Sequence, residues 1–402
     1  MVLHARHGAS AIIISLRPHS FAASVDEAHV VAWDRGGRLY SVWRDEMTWR
    51  RGLSGHVLAK RSERGERLRR MLPQSEADAV VDAAAALATR TAAAMRSPAW
   101  SWAHPVDAVV AQEARTLFML ASAFDAAAAR ADAKRFAVVY SPVGILPPDQ
   151  YLSLVVQATE GCSFNTCTFC DLYQETFRAK TGDQFRHHLG GVLSYLGESV
   201  SLRSRGIFLG AANALALPMA RLLPIFEVLL EEADGVRRGV SAFIDGFTGM
   251  RKTAADYRLL SHLGLRRVYV GLESGHDPLL AFVKKPGVAA AAVETVRAIK
   301  AAGVQAGVIV MTGLGGETYA EGHVRDTIEA LNAMGLGAGD LLYFSDLVDV
   351  PQTAYPRIAA ASGVRPLAPE ARAAQRVEIR AGLRFSSAPP QIATYDIREF
   401  VY

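Results

Sequence analysis

Cysteine is the scarcest chemistry-bearing residue here: three in 402 residues, at Cys162, Cys167 and Cys170. With no thiol to spare for pairing, a disulfide framework is excluded and a reducing, cytoplasmic setting is expected. No apolar run reaches the roughly 20 residues that a helix needs to cross a bilayer, so no membrane partner is expected. The patch Ala11–Leu16 behind Arg6 has the order of a secretory leader, but its apolar core is short and no cleavage site follows. Residues 1–28 are therefore expected to form a loosely ordered tail. Neither sign of charge dominates, with 44 Lys and Arg against 40 Asp and Glu. The basic residues gather between Arg35 and Arg70, at Arg38, Arg44, Arg50, Arg51, Lys60, Arg61, Arg64, Arg67 and Arg69. Such a face suits RNA, an anionic substrate or an acidic electron-donor protein; a plain solvated surface is the preferred reading.

What is present is a chain long and apolar enough for two or three structural units. Residues 29–43 place two alternating runs around Asp34-Arg35-Gly36-Gly37, which predicts a β-hairpin. Pro73 opens an alanine-rich region, helical to about Ala133 and broken near Ser97-Pro98 and His104-Pro105. Within it, 109–124 carries Leu117, Phe118, Leu120 and Phe124 on one face. Residues 29–140 are thus expected as an α-rich domain with a hairpin, and Ser141–Pro148 as an extended linker.

From Tyr151 the pattern changes to short apolar runs alternating with helical stretches. Strands are predicted at 152–158, 205–209, 239–244, 266–272, 304–311 and 340–345. Helices are predicted near 183–196, 217–233, 253–263, 288–302 and 319–334, with Gly264 and Gly303 as stops. Strands with little alternation are covered on both faces, which means a parallel sheet with right-handed crossovers. Six units are too few for the closed eight-stranded form. The fold class is therefore α/β: a partial (βα)6 parallel barrel over 141–350, behind a mainly helical N-terminal domain. A C-terminal extension, 351–402, adds a helix at 366–383 and an extended tail beyond Pro389-Pro390 that closes the barrel's bottom or its open edge.

Sites in parallel βα architectures lie at the carboxyl ends of the strands. The loop Gly161–Cys170 follows the first strand at that end and holds every cysteine. Three thiols can converge on one metal centre but cannot complete a four-thiolate shell. A [4Fe–4S] cube with three irons held and the fourth open is the favoured reading. A structural zinc site would need a fourth ligand such as His187 or His188, which lack the usual Cys/His spacing. A lone nucleophilic cysteine would waste the other two.

This loop resembles the cysteine motif of the radical S-adenosylmethionine (SAM) superfamily, in the less common C-x4-C-x2-C form. The resemblance extends over roughly residues 150–350. Phe169 matches the aromatic that the family places against adenine. In Leu209–Asn213, the backbone of Gly210 and Ala211 would hold the amino group of SAM, with Asn213 as side-chain support. Val270–Gly275 is similar to the family's ribose-and-carboxylate segment, which implies that Glu273 accepts from SAM and Ser274 donates nearby. Met311–Glu317, with Gly313, is like the adenine-side turn.

The resemblance implies a [4Fe–4S] cluster, SAM as cofactor, and a reductant such as flavodoxin or ferredoxin. It also implies reductive cleavage of SAM to methionine and a 5′-deoxyadenosyl radical, which takes hydrogen from a small or medium organic substrate. Substrate-side candidates at strand mouths and after the cluster loop are Asp245, Tyr343, Asp346 and Arg178. With all thiols used, no auxiliary cluster is expected, and the N-terminal unit shows no cobalamin-binding histidine motif. The alternatives are an RNA-modifying radical SAM enzyme docking nucleic acid on the basic unit, and a zinc-stabilised binding protein without catalysis.

Overall fold

The computed structural model describes residues 1–26, 28–63, 66–232, 238–348 and 350–402. Glu27 of the expected tail, Arg64 of the basic run and Ala233 at the end of a predicted helix lie outside the described residues. The chain divides into two units. One comprises Met1–Ser141, Gly190–Ser204 and Arg398–Tyr402; the other comprises Pro142–Leu189 and Arg205–Ile397.

The first unit contains a nine-stranded antiparallel sheet. Its strands are β1 (Val2–His7), β2 (Ser10–Leu16), β3 (Ser20–Val25), β4 (His29–Asp34), β5 (Leu39–Arg44), β6 (Met47–Arg51), β7 (Val57–Glu63), β8 (Glu66–Met71) and β9 (Trp100–Trp102). They form a meander in the order β8-β7-β6-β5-β4-β3-β2-β1-β9. The tail expected over 1–28 is corrected here: most of it is β1, β2 and β3, paired in register. The leader-like patch is an alternating strand, with Ile12, Ile14 and Leu16 buried and the residues between them half-buried. That period of two belongs to a half-buried sheet. The predicted hairpin is present as β4 and β5, inside a far larger sheet than the sequence suggested. Helices Gln74–Ala94, Ala108–Ser122 and Ala126–Val139 are the expected helical part. Phe118 from the second of these meets Phe21 and Trp33 of the sheet edge-on, at centroid distances of 5.4 and 5.8 Å.

Part of the basic run is paired with acids of this unit, among the described residues. Arg38 and Arg51 are buried, and both reach Asp132. Lys60 and Arg69 share Glu399, Arg70 pairs with Glu76, and Arg61 with Glu46.

The second unit holds a seven-stranded parallel sheet: β10 (Leu154–Gln157), β13 (Ile207–Gly210), β14 (Val240–Ile244), β15 (Leu265–Glu273), β16 (Gln305–Thr312), β17 (Leu341–Asp346) and β18 (Gln391–Tyr395). A short antiparallel pair, β11 (Thr159–Glu160) and β12 (Arg178–Ala179), brackets the cysteine loop. The first six parallel strands lie within two residues of their predicted bounds. They are short buried runs, with every residue of β10 and β13 inside. The seventh, β18, is the C-terminal tail, which pairs parallel with β17 and so occupies the open edge. Helix Ala254–His262 starts from a capping box between Thr253 and Asp256. It stops ahead of Gly264, whose φ of +107° suits glycine.

The amino ends of the strands are tied by one carboxylate. Asp149 accepts from Tyr269 at 2.5 Å, from Tyr343 at 2.8 Å and from Arg267 at 2.9 Å. This corrects the placement of Tyr343 at a strand mouth: its hydroxyl is engaged by Asp149.

Candidate active site

The loops beyond the carboxyl ends of the parallel strands enclose a cavity of about 210 Å³. Cys162, Cys167 and Cys170 all line it, together with Phe169, Asn213, Asp245, Glu273 and Lys285. Ile145, Leu172, Phe243, Met311 and Ile397 give it an apolar wall, and Asp171, Tyr173, Ser345 and Tyr395 are further polar groups of the lining.

The cysteine loop is held locally. Gly161, at φ +67°, enters it where a Cβ would collide with the carbonyl of Glu175, so only glycine fits. Thr168 donates through its amide to the carbonyl of Val283 at 2.9 Å, and Thr166 through its hydroxyl to that of Lys284 at 3.0 Å. The carbonyl of Thr168 in turn accepts from the amide of Tyr355 at 2.8 Å. The cysteines therefore sit on a loop fixed from two later segments of the chain.

Asn213 and Asp245 form one buried polar knot. The Asn213 side-chain amide donates to Ser163 Oγ at 2.9 Å and to the Asp245 carboxylate, while its carbonyl accepts from the Asp245 amide at 3.1 Å. Asp245 also caps the short helix Gly246–Gly249, accepting from the Thr248 amide at 2.7 Å. Its carboxylate lines the cavity already engaged, unlike a free catalytic base.

Glu273 closes β15 with a φ of +60°, where the register with β16 shifts. Its Oε1 lies 3.4 Å from Lys285 Nζ. Burial works to lower the Lys285 pKa, but the Glu273 and Cys167 charges outweigh it and raise the value. Burial pushes the Cys170 thiol up to about 11, and raises Cys167 against the opposing pull of Lys285.

Several predicted residues lie elsewhere. Ser274 is fully buried, and its hydroxyl is taken up by His323 Nδ1 and the His276 amide at 2.8 and 3.0 Å. It stands behind Glu273 and is not among the residues that line the cavity. Gly210 and Ala211 line a separate small void, while their neighbours Ala212 and Asn213 reach the main cavity. Gly313 is not among its lining residues; its amide donates to Gln375 at 2.9 Å. Asp346 accepts from Thr312 at 2.6 Å and from Arg376, and Arg178 is an exposed residue of β12; neither lines the cavity. The sequence reading did not single out Lys285, Phe243 or Tyr395. Lys285 stands in a Lys-Lys-Pro-Gly turn, whose adjacent charges before a turn were the one available signal.

A [4Fe–4S] cluster fits the donors gathered here. Three soft thiol ligands share one cavity, and its described lining offers no histidine or fourth cysteine. Cys162, Cys167 and Cys170 would hold the cluster, with Asn213 and Glu273 beside it to meet SAM.

Comparison with known proteins agrees with this arrangement. Residues 156–330 match the family description "Radical SAM superfamily", so this stretch is a radical SAM domain. The enzymes of that superfamily use a [4Fe–4S] cluster and SAM. A search of the curated proteins finds no match. Among solved structures, the cobalamin-dependent SAM radical enzyme OxsB is similar at 15% identity and TM-score 0.37, over 57% of this chain and 31% of that one. The radical SAM methyltransferase TsrM from Kitasatospora setae is similar at 21% identity and TM-score 0.40, over 54% and 38%. Coproporphyrinogen III oxidase, HemN, from Escherichia coli follows at 15% identity and TM-score 0.39, over 62% and 54%. This chain thus spans less than two thirds of each of the three.

Proposed function

We propose, with the radical SAM domain at 156–330 as the premise, that this chain cleaves SAM reductively at a cluster on Cys162, Cys167 and Cys170. It would then abstract hydrogen from a small or medium organic substrate. The observation that carries this reading is that all three thiols line one cavity with Phe169, Asn213 and Glu273. The bound cluster and SAM supply the electron, the carbon–sulfur scission and the hydrogen abstraction. The chain's own residues bind and orient. Glu273 accepts from the ammonium or ribose hydroxyls of SAM, and Phe169 offers its ring to the adenine. Asn213, fixed by Asp245, presents a rigid polar edge, and the backbone of the Gly210-Ala211 turn would hold the amino group of SAM. The apolar wall excludes water from the reacting centre.

That wall also bears on the substrate. Among the described residues the cavity lining has one cation, Lys285, which Glu273 already meets, and no arginine. A substrate with an apolar body suits this lining better than a phosphate or polycarboxylate, which would want guanidinium partners. Asp245 remains the substrate-side residue nearest the cavity; Asp346 and Arg178 would act only on a substrate that extends beyond it. An electron donor such as flavodoxin or ferredoxin, and a cytoplasmic setting, complete the proposal.

The test is anaerobic reconstitution with iron and sulfide, then SAM and dithionite, with 5′-deoxyadenosine measured. Wild-type protein is expected to form it, and the triple replacement of Cys162, Cys167 and Cys170 by alanine to abolish it. Formation that survives the triple replacement, or a colourless zinc protein, overturns the proposal.

A further inference from the structure

We propose that His323 and Thr327, on the helix Gly316–Ala333, are positioning residues for the Glu273 carboxylate. They clamp the turn Ser274–His276 from behind, so that Glu273 is delivered to the cavity in one orientation. This inference rests on the reading that the cavity takes SAM.

Glu273 is a non-glycine residue at φ +60°, and such backbone persists only where its surroundings over-determine it. The next residues supply that constraint. The Ser274 hydroxyl and His323 Nδ1 are 2.8 Å apart and share a hydrogen bond, and the same oxygen accepts from the His276 amide at 3.0 Å. The Gly275 amide donates to Thr327 Oγ1 at 2.9 Å. Gly275 packs so closely on the helix that a Cβ there would collide with the backbone of Asp326 and Thr327. His276 Nδ1 meets Asp326 Oδ2 at 2.6 Å, and Gly322 leaves room for the His276 ring. Gly322, His323, Asp326 and Thr327 stand one, three and one residues apart, which puts them on one face of the helix. Every residue of the turn after Glu273 is therefore bonded to, or pressed against, that face.

The chemistry of the clamp suits its place. His323 and Thr327 are fully buried, so their hydrogen bonds to the turn do not compete with water. Among the described residues His323 Nε2 is buried with no partner, and the ring's short polar contact is the one from Nδ1 to Ser274, with Thr327 Oγ1 3.5 Å from the same nitrogen. Burial, with the nearby His276, drives the His323 pKa down to about 4. A neutral ring ties down Ser274 without placing a second cation behind the Glu273–Lys285 pair. None of the clamp residues lines the cavity, so they act through Glu273 alone.

The experiment measures SAM binding to the reconstituted full chain by anaerobic equilibrium dialysis, with iron content and thermal midpoint recorded alongside. His323→Phe and Thr327→Val should keep iron content at the wild-type level while SAM binds about tenfold more weakly, the loss typical of supporting-shell residues. In turnover, KM for SAM should rise by the same factor with kcat little changed. His323→Asn, which restores a polar atom near the place of Nδ1, should recover most of the affinity. Thr327→Val is nearly isosteric and carries the test if His323→Phe fails to fold. Combining His323→Phe with Glu273→Ala should bind SAM no more weakly than Glu273→Ala alone, since both act on one carboxylate. SAM binding by His323→Phe and Thr327→Val equal to wild type, or losses that simply add to that of Glu273→Ala, would overturn the clamp. Wild-type protein that binds no SAM would instead overturn the functional reading, and the clamp's role with it.

Discussion

At the scale of single residues, the polar side chains that bear on SAM are held by partners: Asn213 by Ser163 and Asp245, and Glu273 by Lys285. Glu273 and Lys285 are the charged pair that faces in. Glu273→Gln removes the negative partner that raises the Lys285 pKa and that would accept from SAM. A hydrogen bond to a charged group contributes about 1.5–3 kcal/mol, so SAM affinity should fall by at least tenfold on calorimetric titration. Asn213→Ala should act on stability instead. It leaves the Asp245 carboxylate and amide each short of a partner, and should cost about 1–3 kcal/mol in denaturant unfolding of the apoprotein. His323 adds a pH signature. Its folded pKa of about 4 lies below the usual 6.5, so the folded protein binds fewer protons than the unfolded chain between those values. Its contribution is fully present above about pH 6.5 and is lost as pH falls toward 4. The charge of His276, which is paired with Asp326, adds to the lowering of the His323 value. Unfolding midpoints measured from pH 7 to 4 should fall more steeply for wild type than for His323→Phe.

Among the elements, those of the parallel sheet were the most legible in the sequence, for a physical reason. Strands covered on both faces read as short apolar runs, and β10, β13, β14, the Val268–Leu272 part of β15, β16 and β17 are mostly such runs, between helices with a capping box or a positive-φ glycine to end them. The antiparallel sheet was far less legible, because its strands alternate and its edge is charged: β8 reads Glu-Arg-Leu-Arg-Arg-Met. Ile12 to Ile14 looked like part of a leader, although they pair with β1 and β3, the next stretches of chain on either side. In the site, cysteines and the turn at Glu273 were visible as motifs, while Lys285 and Tyr395 come together with them only through tertiary packing. The same holds for Asp149, which no motif marks. Asp149→Ala should orphan the hydroxyls of Tyr269 and Tyr343 and take one of the three acceptors from Arg267, which keeps Gln305 and the Gly339 carbonyl, and should destabilise the fold by about 2–5 kcal/mol in urea unfolding.

For the molecule as a whole, charge and chemistry are separated. Part of the basic run, which by sequence suits RNA, is engaged inside its own unit: among the described residues, Arg38 and Arg51 are buried on Asp132, and Lys60 and Arg69 share Glu399. Non-specific nucleic-acid binding depends on free Lys and Arg that displace counterions. Gel-shift titrations with a mixed RNA pool should therefore show only weak binding near physiological salt. Tight binding with a steep salt slope would restore the RNA-modifying alternative. The thiols, by contrast, are concentrated at one end of one sheet, where a single cluster can serve the whole chain. The most direct test of that claim is electron paramagnetic resonance of the dithionite-reduced, reconstituted protein before and after SAM is added. An open iron predicts a [4Fe–4S] signal whose g-values shift on addition of SAM. A signal that SAM leaves unchanged, from a protein with full iron and sulfide, would contradict it.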